Sequence, residues 1–106
     1  MNANEIINDN FEGKNNSFLY FLRDKSLFNK EAFRALCEAI RQIADENIEI
    51  SRNAQKINFV YAQILKCFLY HFDKADKYHI INLPENYNKM IDFLEKSVEY
   101  YFTTRI

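Results

Sequence analysis

The sequence contains very little glycine and proline, with one residue of each in 106. Glycine is the residue that most readily adopts positive φ, and both phosphate-cradling loops and tight primed hairpins depend on it. With Gly13 as its only glycine, the chain has almost no position for such loops. This scarcity excludes most nucleotide-binding architectures.

Thiol and imidazole groups are also scarce, and Cys37, Cys67, His71 and His79 are the complete set. A structural zinc ion needs four ligands, and the spacing of these four residues matches no common zinc module. Cys67 and His71 lie four residues apart, but a reactive thiol also needs an electropositive, partly exposed site and usually a third, orienting group. We therefore expect both to pack in a helical core, with no metal and no other cofactor.

Familiar catalytic motifs are missing as well. The sequence contains no H-E-x-x-H, no G-x-S-x-G and no paired C-x-x-C, and each of these patterns carries a distinct chemistry. We therefore expect that the protein is not an enzyme.

Neither sign of charge dominates, because the formal net charge is −1 and the isoelectric point is near 6.1. No sequence-wide positive field favours nucleic acid or anionic lipid, so neither is an expected direct partner. The N-terminus lacks a basic region followed by an apolar one, and no apolar run approaches the ~20 residues that span a bilayer. These features predict a soluble, cytoplasmic protein.

The small net charge hides alternating blocks of opposite sign. Residues 1–12 and 37–51 each carry a net charge of −3, whereas residues 13–36 and 52–79 each carry +3. If the acidic blocks meet the last helix in space, one side of the molecule presents a negative field.

What the sequence does contain is apolar residues at helical spacing along most of its length. The predicted helices span residues 3–11, 17–24, 30–46, 52–74 and 84–103. They predict an all-α fold, a compact bundle of about four to five mostly antiparallel helices forming a single domain over residues 1–106.

Residues typical of helix ends occur at most of the predicted boundaries. They are Gly13 after the first helix, Ser17, Asn29 and Ser51 before the second, third and fourth, and Pro84 in the first turn of the fifth. Phe28 and Phe33 flank Asn29 at the spacing of a hydrophobic staple.

Two longer-range expectations concern the third and fourth helices. The second half of the fourth helix is apolar on nearly every side, which indicates a central position in the bundle. On the third helix, Arg34, Glu38, Arg41 and Asp45 follow one another at i, i+4 spacing or close to it, which predicts a solvated charged face.

The last helix has an acidic side with aromatic neighbours. Glu85, Asp92, Glu95 and Glu99 project within a sector of ~80°, and Phe93 and Tyr100 stand on the adjoining flank. Such a surface is either an ordinary solvated face or a docking surface for a basic partner, since acidic residues beside aromatic anchors suit one.

The fourth helix suggests a different surface, in which basic and aromatic residues alternate as they do in proteins that bind single-stranded nucleic acid. The residues are Arg52, Lys56, Phe59, Lys66, Tyr70, Lys74 and Lys77. They are spread over many turns, and packing of this face on a small N-terminal helix explains the aromatics more simply.

The stretches NNSFLYFLRD, NKEAFRALCEAIRQIADEN, AQILKCFLYHF and YNKMIDFLEKSVEYYF form a glycine-poor helical chain rich in asparagine and tyrosine, without catalytic motifs. In this general character the whole chain resembles the all-helical immunity proteins of bacterial contact-dependent growth inhibition. The resemblance implies a cytoplasmic protein that binds a cognate toxin, often a basic nuclease and here expected to be a ribonuclease, and covers its active site.

Because the resemblance includes no shared motif, the expected binding residues come from the helical wheel alone. They are Asp92, Glu95, Glu99, Tyr100, Phe93 and Glu85 of the last helix and its approach, with Asp45, Glu46 and Glu49 as a second patch. The competing interpretation is a small helical regulator or adaptor that acts through self-association or nucleic-acid binding.

Overall fold

The computed structural model describes residues 2–46 and 50–104, with the side chains of residues 50–52 and 104 outside the description. The described residues form five helices and no strand. The helices are α1 Ala3–Glu12, α2 Phe18–Asp24, α3 Lys30–Glu46, α4 Ile50–Phe72 and α5 Tyr87–Thr104. The predicted all-α bundle is confirmed. The radius of gyration is 13.5 Å, close to the ~13 Å of a compact chain of this length.

Three of the predicted helix boundaries are set by the residues expected there. Gly13 follows α1 with φ +66°, and the Oγ of Ser17 accepts the N–H of Tyr20 at 3.2 Å. At the start of α3 the Oδ1 of Asn29 accepts the N–H of Ala32 at 3.0 Å. These contacts satisfy backbone groups that a helix end leaves without partners.

The hydrophobic staple at the start of α3 is also present. The rings of Phe28 and Phe33 lie 5.3 Å apart, centroid to centroid, and both side chains are buried. Phe18 of α2 contacts both rings at 5.0 and 5.2 Å. The entry to α3 is thereby anchored in the core.

The boundaries of α4 and α5 differ from the prediction. The helix α4 spans Ile50–Phe72, so Ser51 lies within it and not before it. The carboxylate of Asp73 accepts the N–H of Ala75 at 2.9 Å, a local turn that competes with further helical hydrogen bonds. The prediction that α4 reaches residue 74 was therefore wrong.

The last helix begins three residues later than predicted. The carbonyl of Pro84 accepts the N–H of Tyr87 at 3.2 Å, which closes a turn ahead of α5. The helix itself starts at Tyr87. Pro84 thus lies before the helix and not in its first turn, although its missing N–H suits either position.

The connection between α4 and α5 is tied to the connection between α2 and α3. Asn82 makes two hydrogen bonds with the backbone of Phe28, accepting its N–H at 2.7 Å and donating to its carbonyl at 3.1 Å. The N–H of Ile81 donates to the carbonyl of Ser26 at 2.8 Å, and Ile80 is buried in the core. These contacts hold the long connection against the bundle.

The helices α3 and α4 each pack against α1, α2 and α5. The expectation that the second half of α4 is central was wrong for its last turn, where Leu69, Tyr70 and Phe72 are exposed. None of the helices in the described part of the chain combines the length and the apolar character that a membrane span requires.

Candidate partner-binding surface

One side of α5 faces the core, and its two flanks lie next to α3 and next to α4. Leu94, Ser97, Val98 and Tyr101 form the buried side. The candidate residues of α5 lie on the remaining sides, and the structure divides them between the flank next to α3 and the flank next to α4.

On the flank next to α3, Arg41 lies between two aromatic rings of α5. Its guanidinium carbon is 5.2 Å from the ring centroid of Phe93 and 5.6 Å from that of Tyr100. The Nε of Arg41 also donates to the Oγ of Ser97 at 3.0 Å. Cation–π contact and the hydrogen bond together hold both aromatic rings in place.

The same flank joins the end of α3 to α5 through a second contact, because the hydroxyl of Tyr100 donates to the Oδ1 of Asp45. We call Arg41, Asp45, Phe93 and Tyr100 the aromatic cluster. Phe93 and Tyr100 remain 43% and 36% exposed. The cluster therefore presents partly exposed rings whose positions are already fixed, so these side chains lose less conformational entropy when a partner binds them.

The carboxylates of α5 form a separate stripe, which we call the acidic ridge: Asp92, Glu95 and Glu99. Their i, i+3, i+7 spacing places them on one side of the helix, and all three are exposed. Burial, followed by the negative charges of Glu95 and Glu99, raises the pKa of the Tyr61 hydroxyl on α4. The ridge therefore borders α4, on the opposite flank from the aromatic cluster.

The structure thus brings together only some of the residues that the sequence grouped. The ridge holds Asp92, Glu95 and Glu99, while Phe93, Tyr100 and Asp45 belong to the aromatic cluster. The two remaining described acids, Glu46 at the end of α3 and Glu85 in the connection before α5, are exposed. Glu49 lies outside the described residues.

The sequence did not single out Arg41 as part of this surface. It was expected on the solvated face of α3, and that expectation was wrong because the side chain is half-buried against α5. Its partners lie more than 50 positions further along the chain, so no local pattern could have revealed the contact. The acidic end of α3 does contact α5, through Asp45 and Tyr100, but the carboxylates of α5 lie on its other flank, beside α4.

An open groove of about 670 Å³ runs between the C-terminal half of α4 and the start of α5. Its walls are mostly apolar, and it is lined by Leu65, Phe68, Leu69, Phe72, Tyr87, Asn88, Ile91 and Asp92. We call it the α4–α5 groove. Asp92 belongs both to this groove and to the acidic ridge, so the apolar and acidic surfaces are continuous.

Cys67 and His71 have separate roles in the structure. Cys67 is buried, and burial raises the pKa of its thiol. The Nδ1 of His71 accepts the backbone N–H of Ile80 at 2.8 Å, and its ring stacks on that of His79 with centroids 4.6 Å apart. Burial and the neighbouring His79 lower the pKa of His71, which favours a neutral ring.

The second thiol, Cys37, is fully buried on α3. Burial raises its pKa to about 12, and a hydrogen bond with Ser97 offsets part of this effect. A protonated, buried thiol is a poor nucleophile and a poor metal ligand. Within the described residues, no group of three or more His, Cys, Asp or Glu side chains is placed to hold a metal ion.

Part of the basic and aromatic face of α4 is covered by α1. The rings of Phe59 and Phe11 make an edge-to-face contact with centroids 5.1 Å apart. The ammonium group of Lys56 donates to the side chain of Asn8 and lies 5.8 Å from the ring of Phe11. Packing on the N-terminal helix therefore accounts for Lys56 and for part of Phe59, which stays 37% exposed, whereas Tyr70 is 46% exposed.

No protein-family model, curated protein or solved structure matches this chain.

Proposed function

We propose that this protein is an immunity protein, which binds a cognate toxin of a contact-dependent growth inhibition system in the cytoplasm and neutralises it without catalysing a reaction. The observation that carries the proposal is the surface of α5, where the acidic ridge and the partly exposed rings of Phe93 and Tyr100 occupy the two flanks of one helix. Negative charge accelerates encounter with a basic protein, and fixed aromatic rings supply binding energy.

A nuclease is the toxin class that this surface suits best. A nuclease active site has to attract a polyanion and therefore carries positive charge. Among the described side chains, none of the three ridge carboxylates forms an ion pair, and Glu95 has only a hydrogen bond with the hydroxyl of Tyr61, so no neighbouring positive charge neutralises the ridge. An inhibitor with this ridge would compete with the phosphate backbone for the same positive field, and ribonuclease is the specific activity we propose.

The test is co-expression with the product of the gene immediately upstream. We expect that product alone to arrest growth, that this chain restores growth, and that the two purify as a one-to-one complex in which nuclease activity is lost. Absence of a complex together with absence of rescue would overturn the proposal. Turnover of a substrate by this chain alone would do so as well.

The contribution of the ridge can be measured in the same system. Reversal of charge in the double variant Glu95→Lys, Glu99→Lys is expected to lower the association rate constant about tenfold at low salt. The control is Glu31→Lys, an exposed acid near the start of α3. Replacement of Tyr100 by Ala is expected to raise the dissociation rate instead, with circular dichroism showing that the helices are retained.

A further inference from the structure

The α4–α5 groove exposes large apolar side chains that the fold does not use. Leu69 is 69% exposed and Phe72 is 53% exposed, although Phe72 also contacts Tyr87 with ring centroids 5.3 Å apart. Adjacent exposed apolar groups that form one concave patch are typical of interaction sites, whereas single exposed residues are ordinary. The groove therefore has the apolar exposure and the concave shape of an interaction site.

The charge along the groove indicates the nature of that occupant. Asp92 lies in its wall, and Glu95 and Glu99 continue the line of carboxylates along α5. A segment that lies in the groove places its apolar side chains between the helices and its outer edge beside these three negative charges. Basic residues along that edge would gain complementary charge, while acidic residues would be repelled.

We propose that the α4–α5 groove binds a segment of the toxin that carries apolar side chains on one side and lysine or arginine on the adjacent edge. This inference rests on the proposed function and names the surface and the chemistry through which it operates. Leu69 and Phe72 provide the apolar contact, and the carboxylate of Asp92 attracts the lysine or arginine of the bound segment. The aromatic cluster on the other flank of α5 lies outside this groove.

A synthetic peptide tests the chemistry without the toxin. The probe is a helical peptide of about 15 residues, long enough for four turns, with leucines on one side and lysines on the neighbouring edge. A second peptide has glutamate in place of every lysine. We expect the lysine peptide to bind and to shift the NMR resonances of Leu65, Leu69 and Ile91, and the glutamate peptide to bind at least about tenfold more weakly.

Matched variants locate the binding. Leu69→Asp is expected to weaken the lysine peptide about tenfold or more, whereas Ile81→Asp is expected to leave it unchanged. Ile81 is the control because it is 68% exposed but lies outside the groove. Asp92→Lys is expected to narrow the preference for the lysine peptide, because Glu95 and Glu99 remain along the edge. Equal binding by the Leu69 and Ile81 variants, or an unchanged preference with Asp92→Lys, would overturn the proposal.

The same variants separate this inference from the proposed function. In the co-expression assay, Leu69→Asp is expected to lose protection while Ile81→Asp retains it. Full protection by Leu69→Asp would exclude the groove and leave toxin neutralisation standing. Binding of the lysine peptide by a chain that protects against no toxin would exclude the neutralising function and leave the groove standing.

A second copy of this chain is the remaining candidate occupant. Light scattering of the purified chain is expected to show a monomer at micromolar concentration. A dimer that Leu69→Asp dissociates and Ile81→Asp does not would show that the groove is a self-association surface, and it would overturn the assignment to a basic partner.

Discussion

The backbone N–H of Ile80 donates a hydrogen bond to the Nδ1 of His71 across 2.8 Å. An imidazole that accepts at Nδ1 carries its proton on Nε2 and is neutral. The ring of His71 also stacks on that of His79, and this neighbouring imidazole makes a positive charge on His71 less favourable. The connection between α4 and α5 is thus attached to α4 through a group that works only while it is uncharged.

The first prediction is that stability falls on mild acidification. Burial and His79 lower the pKa of His71 in the folded state, so below its ordinary value of ~6.5 the unfolded chain binds more protons than the folded one. The free energy of unfolding should therefore decrease as the pH falls from about 6.5 towards the lowered pKa. Urea denaturation between about pH 8 and pH 5.5 measures this slope, because most carboxylates stay ionised there.

The variant His71→Gln keeps a side-chain acceptor but does not titrate, so its stability should depend less on pH across this range. His79→Gln is the matched control, and it should keep most of the slope because burial, the larger cause of the shift, remains. Identical slopes for the natural chain and His71→Gln would show that His71 does not govern this transition.

The second prediction concerns the two hydrogen bonds between Asn82 and Phe28. The substitution Asn82→Ala removes both and leaves the N–H and carbonyl of Phe28 without these partners. Because the site is only partly buried, we expect a loss of about 1 to 2 kcal/mol in the free energy of unfolding. Lys77→Ala, in the same connection and exposed, should change stability by less than about 0.5 kcal/mol.

The extent to which the sequence revealed this fold depends on the range of each interaction. The start of α3 could be predicted because Phe28, Asn29 and Phe33 lie within six residues of one another and act locally. The position of Arg41 could not, because its aromatic partners on α5 are more than 50 residues away. Helical periodicity gives the direction of each apolar stripe but not the neighbour that covers it.

The same limit applies to the exposed end of α4. Leu69 and Phe72 belong to an apolar run, and such a run predicts burial whenever nothing else is known. The structure leaves both exposed beside α5. The α4–α5 groove was therefore not predictable from the sequence, whereas the carboxylates of the acidic ridge, Asp92, Glu95 and Glu99, were correctly placed on one side of a helix.

Glycine scarcity also proved a weaker constraint than expected. Besides Gly13, positive φ angles occur at Asn15, Asn16 and Ser26, with values of 55°, 61° and 57°. Asparagine tolerates the left-handed region better than most residues. The high asparagine content thus supplies part of the turn geometry that glycine usually provides.

The third prediction concerns Asn10, whose side chain is 1% exposed. Its Oδ1 accepts the N–H of Leu19 at 3.0 Å and its Nδ2 donates to the carbonyl of Ile6 at 2.9 Å, so it joins α1 to the first turn of α2. Asn10→Ala leaves the buried N–H of Leu19 without this acceptor and should cost about 1 to 3 kcal/mol in chemical denaturation. Asn4→Ala, exposed on the same helix, should have almost no effect.

The fourth prediction is that neither thiol is reactive in the folded chain. Cys37 and Cys67 are buried, and burial raises both pKa values, that of Cys37 to about 12. With a disulfide reagent at neutral pH, both should react at least about a hundredfold more slowly than a free thiol, and both should react at once in urea. Rapid reaction of one thiol in the native chain would place it in an accessible site, and single serine variants would identify it.

The fifth prediction is an energetic coupling between Arg41 and Phe93, whose guanidinium carbon and ring centroid are 5.2 Å apart. In a double-mutant cycle with Arg41→Met and Phe93→Leu, which retain much of the apolar packing, we expect a coupling free energy of about 0.5 to 1 kcal/mol. Arg41→Met combined with Lys89→Met is the control, because additive effects are expected where no contact is made. Additivity in both cycles would mean that the guanidinium contributes only through Ser97 and Tyr100, and that Phe93 is free to move when a partner binds.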